Sequence, residues 1–167
     1  MPSESEFFKG VYVNGTKVAI GADHAGYALK EVIKEHLEEK GIEIVDFGPS
    51  SSDPVDYPDI AGELAKSVAE DPIKRGILIC GTGIGMAITA NKVPGVSAAQ
   101  AHDTYSAERA RKSNNAQILT MGAKVVGEAL ATKIVDAWLE SEFQEGGSRR
   151  KVDKIAAIEK EHATARS

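Results

Sequence analysis

Cys80 is the one cysteine among 167 residues, and it ends an apolar run, Gly76-Ile77-Leu78-Ile79-Cys80, that leads directly into Gly81-Thr82-Gly83-Ile84-Gly85. A thiol beside a glycine-rich turn that opens a helix can act as a base or a nucleophile. The amides of such a turn can converge on one anion, because glycine lets the backbone come close. Asp23-His24 closes a second strand-like run, Lys17 to Ala22, and puts a carboxylate and an imidazole at an equivalent place. Plainer readings stand beside these. Cys80 can be a packing cysteine, the glycines a tight strand-to-helix turn, and Asp23-His24 a charged strand end.

The glycine pattern also excludes. A dinucleotide-binding turn needs Gly-x-Gly-x-x-Gly after the first strand and an acidic residue about 20 positions on. Here Gly-x-Gly-x-Gly follows the third strand, and no Gly-Lys-Ser or Gly-Lys-Thr marks a P-loop. Nicotinamide and nucleotide chemistry are thus disfavoured.

The elements that must hold these residues alternate along the chain. Strands are expected at Lys17 to Ala22, Ile42 to Phe47, Gly76 to Cys80, Val96 to Ala101 and Gln117 to Met121. Between them, Leu29, Val32, Ile33 and Leu37 recur at helical spacing, and helices are expected from about Asp59 to Glu70, Gly83 to Lys92 and Thr104 to Ser113. The helix from Thr104 reads as charged and solvent-facing. Leu130, Ile134 and Trp138 form a stripe for the core or a subunit contact. Gly146-Gly147 breaks that helix, and Ser148-Arg149-Arg150-Lys151 opens a last one. Gly48 to Pro58, rich in Gly, Pro, Ser and Asp, reads as a loop over the top of the sheet.

Strand–helix alternation predicts a three-layer α/β/α, Rossmann-like domain with a five-stranded parallel sheet in the order 2-1-3-4-5. Ligands of such sheets bind beyond the carboxyl ends of the strands, where the order reverses. Strands one and three flank that crevice, so Asp23-His24 and Cys80-Gly81-Thr82 should face each other.

Composition narrows the class. A net charge of -5 speaks against a nucleic-acid binder and a polybasic membrane anchor, while small anions remain open as ligands. No apolar run approaches the roughly 18 residues that span a bilayer, and one cysteine makes no disulfide framework within the chain. A reducing, cytoplasmic setting is expected. Met1 to Lys9, with Glu4, Glu6, Phe7 and Phe8, resembles neither a secretory signal nor a transit peptide. Met1 to Lys9 are read as a frayed or partner-docking arm, residues 1–16 as an N-terminal extension, and residues 17–162 as a single domain.

Four motifs in order, Gly21-Ala22-Asp23-His24-Ala25-Gly26, Asp56-Tyr57-Pro58, Ile79-Cys80-Gly81-Thr82-Gly83-Ile84-Gly85 and Ala90-Asn91-Lys92, resemble type B ribose-5-phosphate isomerase. The resemblance runs from about Val18 to Glu159 and makes residues 17–162 a single sugar-phosphate isomerase domain. It implies an aldose–ketose isomerase without metal or organic cofactor, acting on ribose 5-phosphate in pentose phosphate metabolism. Cys80 would be the general base that moves a proton between C1 and C2, and Thr82 a relay. The amides of Gly81, Thr82, Gly83, Ile84 and Gly85 would meet the enediolate oxygens. Asp23 and His24 would bind substrate hydroxyls, ring oxygen or phosphate, and Tyr57 would line the sugar pocket. A homodimer with shared sites is implied, with further pairing to a tetramer left open.

The sequence departs from the family at two places. Where the family carries a His-Asn pair from the partner subunit, this chain has Ser113-Asn114; Asn114 is kept, but serine has no proton to exchange near neutral pH. That histidine is credited with opening the furanose ring. His102 either reaches the same space or caps its strand. At the phosphate end, Lys124, Arg149, Arg150 and Lys151 retain positive charge in a changed register, and lysine gives a point charge in place of a planar fork. Three further readings follow: a non-cyclising tetrose phosphate as substrate, a galactose 6-phosphate type isomerase, and a catalytically weak sugar-phosphate-binding protein.

Overall fold

The computed structural model describes residues 16–72 and 74–164. The chain begins with β1 (Lys17–Ala22), α1 (Tyr27–Glu39), β2 (Glu43–Asp46), α2 (Tyr57–Glu70), β3 (Lys74–Cys80) and α3 (Ile84–Ala90). It continues with β4 (Ala98–Gln100), α4 (Thr104–Lys112), β5 (Ile118–Gly122), α5 (Glu128–Leu139) and α6 (Gly146–Thr164). The expected arm, Met1 to Lys9, and the rest of the N-terminal extension up to residue 15 lie outside the described residues. All pairings in the sheet are parallel.

Strand alternation divides the core into two layers. Val18, Ile20, Ile77, Ile79, Leu119 and Met121 face α1, α4 and α5, whereas Ala19, Leu78, Cys80 and Ile118 face α2 and α3. Each fully buried Ile or Leu contributes roughly 1.5–3 kcal/mol of transfer free energy. The expected three-layer α/β/α architecture is what forms.

The sheet order is β2-β1-β3-β5-β4, not the expected 2-1-3-4-5. Burial explains the exchange of the outer two strands. Every residue of β5, Ile-Leu-Thr-Met-Gly, is buried, so it belongs between two strands, while the three residues of β4 are only partly covered. A short strand at an edge also leaves little unpaired backbone open.

Three local expectations also change. Pro58 sits in the first turn of α2, where its missing N–H costs nothing, so that helix starts at Tyr57 and not near Asp59. The helix carrying Trp138 stops at Leu139, and Gly146-Gly147 begin α6 instead of breaking α5. α4 is not solvent-facing throughout: Ala107, Ala110 and Arg111 are buried against α5. Trp138 is fully buried within the chain, its indole N–H donating to Ala116 O at 3.3 Å, so it serves the core and offers nothing to a second subunit.

Candidate active site

β1 and β3 are neighbours in register up to Ala22 opposite Ile79, and one step on the Asp23 amide donates to Ile79 O at 3.1 Å. Asp23 therefore lies beside Cys80 at the carboxyl end of the sheet. The Asp23 carboxylate accepts the Gly26 amide at 3.0 Å, and a side chain at Gly26 would strike Ile79 O. Asp23 is 8 % exposed and Cys80 5 % exposed, so both sit at the floor of the strand ends.

The turn after β3 is built around that sulfur. The Gly83 amide donates to Cys80 Sγ at 3.0 Å, and the Ile84 amide donates to Thr82 Oγ1 at 3.2 Å. Two amides expected to greet a ligand are thus directed at the turn's own side chains. Gly83 has φ +79°, and a Cβ there would stand 2.8 Å from the Met121 carbonyl carbon, so only glycine fits. Thr120 Oγ1 donates to Gly83 O at 2.9 Å and Gln100 Nε2 to Thr82 O at 2.6 Å, which locks the turn onto β5 and β4.

The rim is tethered from several elements. A Cβ on Gly85 would meet the Tyr57 ring at 2.5 Å, so the phenol packs directly against the glycine turn. The Lys124 stem crosses Gly81, 3.6 Å from where a Cβ would be, and the Lys124 amide donates to Gly81 O. His24 Nδ1 accepts the Val55 amide at 3.3 Å and so anchors the loop between β2 and α2. Asp46, at the end of β2, accepts from fully buried Lys30 at 2.8 and 2.9 Å and from the Gly48 amide. Burial pushes the Asp46 carboxyl up, but Lys30, the Gly48 amide and Lys34 outweigh it and hold the group below its usual range.

His102 Nε2 accepts the Gly122 amide at 2.9 Å, which leaves only Nδ1 to carry a proton. The ring braces the end of β5. The neighbouring Asp103 caps α4, and the Ser106 amide holds its carboxyl below the ordinary carboxylate range.

The remaining candidates lie elsewhere. Asn114 follows α4 and borders a groove of about 540 Å³ together with Ser97 and Gln117, which precede β4 and β5, and Val152 and Ile155 of α6. That is the amino end of the sheet, opposite Cys80. Arg149 stacks on Phe143 at 5.7 Å and pairs with Glu145 and Asp153, on the first turns of the same α6 that carries exposed Arg150 and Lys151. Ser113 Oγ accepts from Arg109 Nε at 2.8 Å. Within one chain these residues are not brought to Cys80.

Sequence reasoning missed Lys30, Gln100, Thr120 and Arg109, because polar residues in a helix or strand interior carry no local sign of a distant partner. Asn91, part of a quoted motif, bonds both the amide and the carbonyl of Ala98 and thereby pins β4. Among the described residues no cluster of His, Cys, Asp and Glu could hold a metal ion.

A parallel α/β sheet with a thiol, a carboxylate and a glycine turn beside the β1–β3 crevice is the arrangement of a small-molecule site. The ribose/galactose isomerase family model matches residues 18–155, and the chain belongs to that family. It is 54% identical over 146 residues to the ribose-5-P isomerase B of Listeria innocua, covering 87% of this chain and 99% of that one. It is 53% identical over 144 residues to the D-erythrulose-4-phosphate isomerase of Pectobacterium atrosepticum, covering 85% and 94%. The Clostridium thermocellum ribose-5-phosphate isomerase B structure superposes with a TM-score of 0.86 at 47% identity, over 88% of this chain and 99% of that one. The Mycoplasma genitalium ribose-5-phosphate isomerase B with bound ribulose-5-phosphate gives 0.85 at 40% identity, over 88% and 98%.

Proposed function

We propose that this chain interconverts ribose 5-phosphate and ribulose 5-phosphate, with Cys80 as the base, in a homodimer whose two sites each draw on both subunits. The observation that carries the reading is the placement of Cys80 Sγ beside Asp23 on a turn whose Gly83 amide reaches the sulfur at 3.0 Å.

In this reading Cys80 Sγ takes the proton from C2 of the open-chain aldose, and the C–H electron pair forms the C1–C2 double bond of an enediolate. The O2 proton passes to O1 through the Thr82 hydroxyl. Sulfur then returns its proton to C1, and C2 becomes the ketone. The amides of Gly81, Thr82 and Gly85 steady the oxygens that carry negative charge, while Asp23 and His24 orient hydroxyls and Tyr57 forms the wall. Lys124 brings a cation to the rim.

The dimer reading rests on the separation of the candidates. Asn114 borders the groove at the amino end, and Arg149, Arg150 and Lys151 stand on the first turns of α6, whose Val152 and Ile155 line that groove, so in this reading they serve the Cys80 site of a second copy. Ile155 and Ile158, 53 % and 60 % exposed on α6, are apolar surface that a second copy would cover.

Ser113 favours a second substrate. With its hydroxyl held by Arg109 and no imidazole at that position, a tetrose 4-phosphate suits the site, because its O4 is esterified and cannot close a furanose ring. The relative from Pectobacterium atrosepticum carries that activity in its name. Incubation in D₂O tests the chemistry: deuterium should enter the sugar carbons next to the carbonyl with either substrate. Phosphate binding without exchange, unchanged in Cys80→Ala, would leave a binding protein in place of an isomerase.

A further inference from the structure

At the amino end of the sheet, behind the groove that Asn114 and Asn115 border, Arg111 is 4 % exposed at the end of α4. Its Nη1 donates to Asn115 Oδ1 at 3.1 Å and Ala116 O at 2.9 Å. Arg75, at the start of β3, donates through Nη1 to Pro72 O and Lys74 O, each at 3.1 Å. The two arginines line one cavity of about 10 Å³ with Trp138, Leu139, Ser141 and Thr16. Among the described residues the arginine ion pairs belong to Arg109 and Arg149, so neither Arg75 nor Arg111 has a carboxylate within 4.0 Å. A guanidinium has five donors; Arg111 meets only neutral acceptors, and on one nitrogen. Ser141 spends its proton on Ala137 O at 2.7 Å, which leaves the arginines as the charged donors of the cavity.

Burying a cation without a counter-charge is costly, and placing a second beside it adds repulsion. Burial, and then the Arg75 charge, pull Arg111 down to about 10, against the opposing pull of exposed Glu142. Burial lowers Arg75 as well. We infer that the cavity between Arg75 and Arg111 is a binding site for a small inorganic anion of halide size, which ties the start of β3 to the ends of α4 and α5. The cavity has room for about one water-sized species, so tetrahedral oxyanions do not fit.

The test is thermal unfolding of the full chain in sodium chloride against sodium gluconate and sodium sulfate at matched ionic strength. Chloride should raise Tm in a saturable way, by about 5 °C at a hundredfold excess over Kd, and the other two salts should not. Arg75→Gln, half-buried and able to keep one carbonyl bond, should abolish the difference. Crystals grown in bromide should show an anomalous peak between the two guanidiniums. Equal Tm in all three salts, an undiminished chloride effect in Arg75→Gln, or no bromide peak would each overturn the proposal.

Discussion

The two ends of this sheet are made differently. At the carboxyl end, nearly every polar group is tied down: Gly83 to Cys80, Ile84 to Thr82, Gly122 to His102, Val55 to His24, and Asp46 to Lys30. At the amino end, α6 leaves Ile155 and Ile158 open over a groove, and Glu159 reaches back to accept the Gly95 amide at 3.1 Å. The first end is preorganised for chemistry by its own chain. The second is open apolar surface, with Asn114 and the first turns of α6 far from the Cys80 turn of the same chain. The contrast teaches that Cys80 and Asn114 lie at opposite ends of one chain, which is the separation that the proposed two-subunit site rests on.

The largest effect should come from the preorganised end. Cys80→Ala is expected to lower kcat by about a thousandfold, within the range of general-base removal, while Tm and secondary structure hold. Steady-state kinetics with ribose 5-phosphate and erythrose 4-phosphate measure this, and a small loss with both would break the contrast at its strongest point. Gly83→Ala comes next. Its φ of +79° and its approach to Met121 predict a destabilisation of roughly 2 kcal/mol, seen in urea unfolding, together with loss of the sulfur contact.

A smaller effect is expected from the open end. Asn114→Ala should cost about tenfold in kcat/KM, the worth of one or two neutral hydrogen bonds, with folding unaffected. The smallest is a pH effect at Asp46. Its folded-state pKa lies below the ordinary 3.8, so its contribution to stability is present above that value and is lost as pH falls through the folded-state pKa. The Tm gap between the native chain and Asp46→Asn should therefore be constant near neutrality and close below about pH 4. A gap unchanged down to acid unfolding would show that Lys30 does not hold that carboxylate.

How much was legible in the sequence follows from which signals are local. β1 was read at its observed bounds, Lys17–Ala22, and the turn after Cys80 was evident because its glycines are contiguous. The exchange of β4 and β5 was not legible, since both read as short apolar runs and only their relative burial decides which lies inside. Trp138 looked equally suited to the core or a subunit contact, and its bond to Ala116 O, a long-range fact, decides for the core. His102 carries two readings in the sequence, and what the fold adds is the Gly122 amide at its Nε2, a partner no local pattern announces. The distance between Asn114 and Cys80 could not be seen without the topology that sends them to opposite ends.

Subunit complementation tests the shared site most directly. Cys80→Ala and Asn114→Ala chains are mixed, dissociated and allowed to reassociate, and activity is compared with that of each parent alone. In a shared-site dimer each mixed pair holds one site with both residues intact, so activity should climb to about one quarter of the native level under random pairing. Activity that stays at the mean of the two parents, with exchange of subunits verified, would contradict the account.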